Sequence, residues 1–136
     1  MPLPRRPVLV VIALLVAFGT ATRSARAEHT KDSLDTVKKA LEEKKAVIVD
    51  VRELDEWEEG HLQAARHLPM SSLKQIDTEA VAKVLPKDKV VYLHCQAGGR
   101  CLKAAALLEP LGYDIRPLKP GYPDLVGAGF PAAKGK

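Results

Sequence analysis

Lys89-Val90-Val91-Tyr92-Leu93-His94-Cys95-Gln96-Ala97-Gly98-Gly99-Arg100-Cys101 runs from a strand through a glycine-bearing turn into a helix. Lys89 to His94 is β-branched and almost continuously apolar, the pattern of a strand covered on both faces within a parallel sheet. From Arg100 to Leu111 the pattern is helical, and Gly112 stops it. A cysteine therefore ends a buried strand, and two glycines and an arginine follow at once.

Working outward, Ala46 to Val51 (AVIVDV) repeats the signature of a strand covered on both faces. Ahead of it, Leu34, Val37 and Leu41 recur at helical spacing, which predicts an amphipathic helix over Asp32 to Lys45 with Thr30, Asp32 or Ser33 available as its cap. Between the two strong strands lie a short acidic helical turn from Glu53 to Glu59, a short strand around Ala64 to Leu68, and a helix beginning near Asp77. Asp114 to Leu118 gives a further short strand. Strand and helix alternate, and parallel strands need crossover helices, so the expected fold class is a small α/β domain with a mainly parallel sheet and helices on both faces. Ligands bind such sheets outside the carboxyl ends of the strands. The segment after His94 lies at such an end.

That position suits Cys95 to chemistry. Gly98 and Gly99 allow backbone conformations in which successive N–H groups point inward as an anion-binding nest, and the following helix adds the positive end of its dipole. A thiol held there beside Arg100 ionises more readily than a free cysteine at ~8.5. Thiolate is the nucleophilic form. A lone cysteine inside a strand would instead read as a small buried hydrophobe.

The first residues set the compartment. Arg5 and Arg6 precede an unbroken apolar run of twelve residues, Val8 to Gly19, and small residues end at Ala25-Arg26-Ala27. This is the layout of a cleaved secretory signal, and the run falls short of the ~20 apolar residues a spanning helix needs. Cleavage after Ala27 gives a signal segment 1–27, a single domain 28–136, and an exported, periplasmic protein. Four of the 21 basic residues (Arg5, Arg6, Arg23 and Arg26) lie before Glu28, so 17 basic and 17 acidic residues remain. A mature chain without net formal charge has no electrostatic footprint for nucleic acid or an anionic membrane surface. Cys95 and Cys101 lie too close in sequence to staple distant parts of the fold, which favours a chemical role.

Asp50-Val51-Arg52-Glu53, Glu56-Trp57, Gly60-His61-Leu62, Ala65 and Leu68-Pro69 resemble the N-terminal signature of rhodanese domains, and Cys95-Gln96-Ala97-Gly98-Gly99-Arg100 resembles their six-residue active-site loop. Leu118-Lys119-Pro120-Gly121-Tyr122 through Gly129-Phe130-Pro131 resembles the family's closing segment. As an exported one-domain form, the chain is most similar to the phage-shock-protein E type. The resemblance implies that Cys95 takes a sulfane sulfur from a donor such as thiosulfate and passes it, as a persulfide, to cyanide or a thiol. It implies Gln96, Ala97, Gly98, Gly99 and Arg100 as the substrate-binding loop, and no metal or organic cofactor. Small-molecule donor and acceptor are the implied partners, with no membrane contact after signal cleavage. Two departures stand out: Pro120-Gly121 and Leu125 replace a common glycine pair and tryptophan, and Cys101 stands where relatives often have Ser or Thr. Cys101 is thus either a resolving thiol for Cys95 or a residue packed against the loop.

Asp50 and Arg52 are expected as structural support at a strand end, Trp57 as core, and Glu53, Asp55, Glu56, Glu58 and Glu59 as a solvated helix face. None of the four histidines shows a persuasive metal-ligand spacing with the cysteines, and His94 is expected to be structural because adjacent strand residues point to opposite faces. Two other functions compete. A cysteine phosphatase or arsenate reductase uses a C-x5-R loop, but four residues separate Cys95 from Arg100 here and a count of five lands on Cys101. The other is a non-catalytic binding or redox- or persulfide-sensing module on the same fold, and Cys95 with Arg100 argues against an inert domain.

Overall fold

The structure, a computed structural model, describes Pro2 and residues 27–136. Apart from Pro2 and Ala27, the expected signal segment 1–27 lies outside the described residues. In chain order the elements are α1 (Leu34–Glu42), β1 (Ala46–Asp50), α2 (Leu54–Glu59), β2 (His61–Leu62), β3 (Ala65–His67), a 3-10 turn (Met70–Leu73), α3 (Thr78–Val84), β4 (Val90–His94), α4 (Gly99–Leu108), a second 3-10 turn (Glu109–Leu111), β5 (Asp114–Pro117), α5 (Tyr122–Gly127) and β6 (Ala132–Ala133).

β3, β1, β4 and β5 lie side by side in that order and all pair in parallel. The expected mainly parallel sheet is therefore present. Its faces divide the side chains by parity. Val47, Val49 and Val51 of the β1 segment and Val91, Leu93 and Cys95 of the β4 segment join Val81 of α3 and Cys101, Ala104, Ala105 and Leu108 of α4 in one core. Ala46, Ile48 and Tyr92 face the other way, against Val37 of α1, Leu125 of α5 and Phe130. Each fully buried Val or Leu contributes roughly 1.5–3 kcal/mol, which is why both strands tolerate almost no polar residue before their carboxyl ends.

The helices begin where side chains can satisfy free backbone donors. Ser33 Oγ accepts from Thr36 N at the start of α1, at 3.1 Å, and Asp77 accepts from Glu79 N and Ala80 N at the start of α3. α4 passes into the Glu109–Leu111 turn and stops at Gly112, whose φ is +94°.

Three features depart from expectation. Trp57 is only half-buried, and its ring stacks on His61 (centroids 3.6 Å apart) and on His67 (4.7 Å) instead of entering the core. Its six-residue helix lies outside the main sheet, where the flat His rings offer the apolar surface that the core does not. The antiparallel pair β2–β6 joins residues 61–62 to 132–133, a contact between short segments with no alternation to announce it. α5, a six-residue helix that the strand-helix alternation did not announce, closes the second core with Leu125, the residue that stands where relatives commonly have tryptophan.

Candidate active site

Register places Asp50 opposite His94 at the carboxyl ends of β1 and β4, and Cys95 follows directly. Cys95 continues the Val91–Leu93 row, so its side chain points toward the N-terminus of α4. Gly98, at φ +92°, is the N-cap of that helix, and this left-handed turn directs its N–H onto Cys95 Sγ at 3.0 Å. Gln96 and Ala97 are exposed at the loop's rim, while Cys95 itself is 1% exposed.

The closing segment forms the loop's outer wall. Tyr122 N donates to Cys95 O at 2.9 Å, and Leu118 N donates to Leu93 O at 2.8 Å. Gly121 lies so tightly on the loop that a Cβ there would sit 1.8 Å from Gln96 O and 2.4 Å from Gln96 C. Only glycine fits. The departure Pro120-Gly121 therefore keeps a glycine at the point of backbone contact.

Cys101 is fully buried beneath the loop, and both cysteines are free thiols. Its Sγ lies 3.1 Å from Gly98 O and 3.3 Å from Leu118 O. The neighbouring Cys101 thiol is the largest influence on Cys95, and together with donors from the loop backbone it outweighs burial and pushes the Cys95 thiol down to about 5. Cys101 is pushed up, first by the neighbouring Cys95 and then by burial.

Both loop-side arginines are bound to carboxylates. Arg100 forms a two-pronged pair with Glu56, Nη2 lying 2.8 Å from Oε2. The pair holds the Glu56 carboxyl below its ordinary range and raises the guanidinium. Glu56 also takes the backbone N–H of Glu53, closing a capping box on α2. It is thus half-buried and engaged, in contrast to the solvated role expected for it. Arg52 is 3% exposed and binds the fully buried Asp50 through Nε and Nη2. Its other contacts are Gly60 O at 2.7 Å, Gln96 Oε1 at 3.2 Å, and the Tyr122 ring, 4.2 Å away. Asp50 and Arg52 therefore form a buried scaffold pair that also reaches the loop. Arg52, Glu56, Glu59, Gly60, Gln96 and Tyr122 line a cavity of about 240 Å³ beside the loop.

His94 is fully buried and turned away from Cys95, with Nδ1 3.3 Å from Cys95 O and Nε2 3.7 Å from Asp50 Oδ2. Burial is the largest influence on its ring and favours the neutral form. Facing a carbonyl, Nδ1 carries the hydrogen. His29 has no role in the sequence reading, yet its Nε2 sits 2.7 Å from Gly98 O. No local signal marks it, because the contact spans 69 positions. Glu56, by contrast, belongs to a quoted motif, and its pairing with Arg100 was the missing piece.

A family model described as "Rhodanese-like domain" matches residues 33–128. The uncharacterized protein YqhL of Bacillus subtilis is 42% identical over 80 residues, which cover 58% of this chain and 60% of that one. The tRNA uridine(34) hydroxylase of Salmonella newport is 30% identical over 103 residues, or 74% of this chain and 29% of the hydroxylase. The chain thus spans less than two thirds of the length of either relative. The crystal structure of a rhodanese-related protein from Thermoplasma volcanium superimposes with a TM-score of 0.60 at 25% identity, covering 73% of this chain and 92% of that one.

Proposed function

This chain belongs to the rhodanese-like domain family, and on that premise we propose that it is an exported thiosulfate sulfurtransferase with Cys95 as its sulfur carrier. The observation that carries the reading is the setting of Cys95 Sγ at the mouth of α4, where it accepts the Gly98 N–H beside the buried Cys101 thiol. A thiol so surrounded is a thiolate at neutral pH and a ready nucleophile.

In the first step the Cys95 thiolate attacks the outer sulfur of thiosulfate. A new S–S bond forms, the bond from that sulfur to the sulfonate breaks, and sulfite leaves with the electron pair. In the second step cyanide, or a thiolate, attacks the outer sulfur of the persulfide, and Cys95 is released as thiolate. On the enzyme side the negative charge sits on the Cys95 thiolate or its persulfide, so the donors that matter are those aimed at the loop's interior. Arg100 and Arg52 are largely neutralised by Glu56 and Asp50, which leaves the Gly98–Gly99 backbone and the start of α4 to stabilise the anion. Gln96, Ala97 and the cavity beside Gln96 give the donor its approach.

The deciding experiment is a thiosulfate-to-cyanide assay on residues 28–136, with Cys95→Ser as control. Thiocyanate from the wild type and none from the variant is the expected outcome; equal turnover by both would sink the assignment. The same reading includes removal of residues 1–27 on export. N-terminal sequencing of envelope-located protein should begin at or within a few residues of Glu28, and a full-length membrane-embedded product would overturn it.

A further inference from the structure

We propose that His29, two residues beyond the expected cleavage point, is a positioning residue that holds the Cys95 loop in its reactive shape. The proposal rests on Cys95 being the reactive thiol. Gly98 is the hinge of that loop: at φ +92° it has no Cβ to restrict it, so bonds on its two sides must impose its conformation. On one side its N–H is committed to Cys95 Sγ. On the other, its carbonyl has two candidate donors, His29 Nε2 at 2.7 Å and Cys101 Sγ at 3.1 Å.

Those two donors are unequal. A thiol has one hydrogen, and Cys101 Sγ divides it between two carbonyls, Gly98 O and Leu118 O. A thiol is also a weak donor, weaker than an imidazole N–H. The Gly98 carbonyl then depends on His29. A carbonyl only accepts, so Nε2 carries the hydrogen, and the ring donates whether it is neutral in that tautomer or protonated. In a trans peptide the C=O and the next N–H point in opposite directions. Gripping Gly98 O from outside therefore fixes the direction of Gly99 N–H, the first free donor of α4.

The segment is anchored just after His29, where Thr30 N donates to Pro117 O at 2.7 Å. Asp32 accepts the Tyr92 hydroxyl at 2.7 Å and Arg116 Nη1 at 2.9 Å. The ring also touches the hinge directly: a Cβ on Gly98 would meet His29 Nε2 at 3.3 Å and Lys119 O at 2.6 Å.

The test compares wild type with His29→Ala, His29→Met and His29→Gln. Met fills the space without a donor, whereas the Gln amide keeps one at similar reach. Iodoacetamide alkylation of Cys95, followed by peptide mass, is measured against pH alongside thiosulfate transfer, with melting curves as the fold control. In His29→Ala and His29→Met the alkylation midpoint is expected to rise by on the order of one pH unit. Transfer should fall about threefold at pH 5.5 and recover by pH 8, the behaviour of a thiolate lost to protonation. His29→Gln should follow the wild-type curve. Folded Ala and Met variants with wild-type profiles would overturn the proposal, as would a Gln variant that behaves like Met. Should Ala fail to fold, the contrast between Met and Gln decides. A shifted alkylation curve in a protein that never transfers sulfur would overturn the sulfurtransferase reading and leave the positioning role standing. Normal transfer with unshifted curves does the reverse.

Discussion

The interior of the loop and the floor beneath it hold one cysteine each, six positions apart, and the fold drives them in opposite directions. Both are buried, at 1% and 0% exposure. Burial alone disfavours a thiolate in either place. Cys95, at the end of β4, meets the Gly98 N–H, and the neighbouring Cys101 thiol is the largest influence holding it low. Cys101, in the first turn of α4, meets carbonyl oxygens and the charge of Cys95, so its proton stays on. What separates the two thiols is the polarity of the groups in contact.

Removing the sulfur inside the loop breaks the comparison most completely. Cys95→Ser should abolish thiocyanate formation, because an alcohol cannot carry the persulfide, and mass spectrometry after thiosulfate treatment should find no added sulfur. Disturbing the wall comes next. Gly121→Ala drives a methyl group into the backbone of Gln96, and overpacking of this kind costs on the order of 1–3 kcal/mol. Thermal denaturation should show a lowered midpoint, and transfer should be nearly lost even where the protein remains folded.

The floor residue gives a graded result. With Cys101→Ala the largest influence favouring the Cys95 thiolate disappears, so its alkylation midpoint should climb from about 5 toward the ordinary value. The sign follows directly: losing a donor to the charged form raises the pKa, and the thiolate fraction falls at any pH between the old midpoint and the new. Cys101→Ser restores a donor and should recover most of the shift. The same variant tests Cys101 as a resolving thiol. In that role, oxidised wild type would lose transfer until a reductant opened a Cys95–Cys101 disulfide, whereas Cys101→Ser would need no reductant. Equal response of both to oxidant leaves Cys101 as donor and packing residue only.

The smallest effect is expected at Glu56→Gln, which frees Arg100 from its partner. Half-exposed ion pairs of this kind are worth about 1 kcal/mol or less, so stability should barely move. The released guanidinium can turn toward the donor anion, and steady-state kinetics should show a change of no more than a few-fold, mainly in KM for thiosulfate. A loss as large as that in Cys95→Ser would show that the pair holds the loop together.

Much of this was readable along the chain. Val47, Val49, Val91 and Leu93 announced buried strands, Ser33 and Asp77 announced helix starts, and Cys95 through Arg100 announced the loop. All are local: a strand's burial, a cap or a glycine turn is encoded within a few neighbouring residues. The parallel sheet followed from their alternation.

What only the tertiary structure decided are the partnerships between segments far apart in the chain. Trp57 looked like core because it is large and apolar, but its short helix lies outside the sheet, and His61 and His67 were there to receive its ring. Glu56 looked like one acid among five until folding set it against Arg100, 44 positions away. His29 reaches Gly98 across 69 positions, and Gly121 fits against Gln96 only because the backbones touch. Local sequence was enough to tell which strand residues would be buried, where the strands would end and which thiol would stand at the turn. Which proton donors would surround that thiol, and hence which of two cysteines would ionise, was settled by packing, because hydrogen bonds and charges act through distances of a few ångströms that sequence separation does not measure.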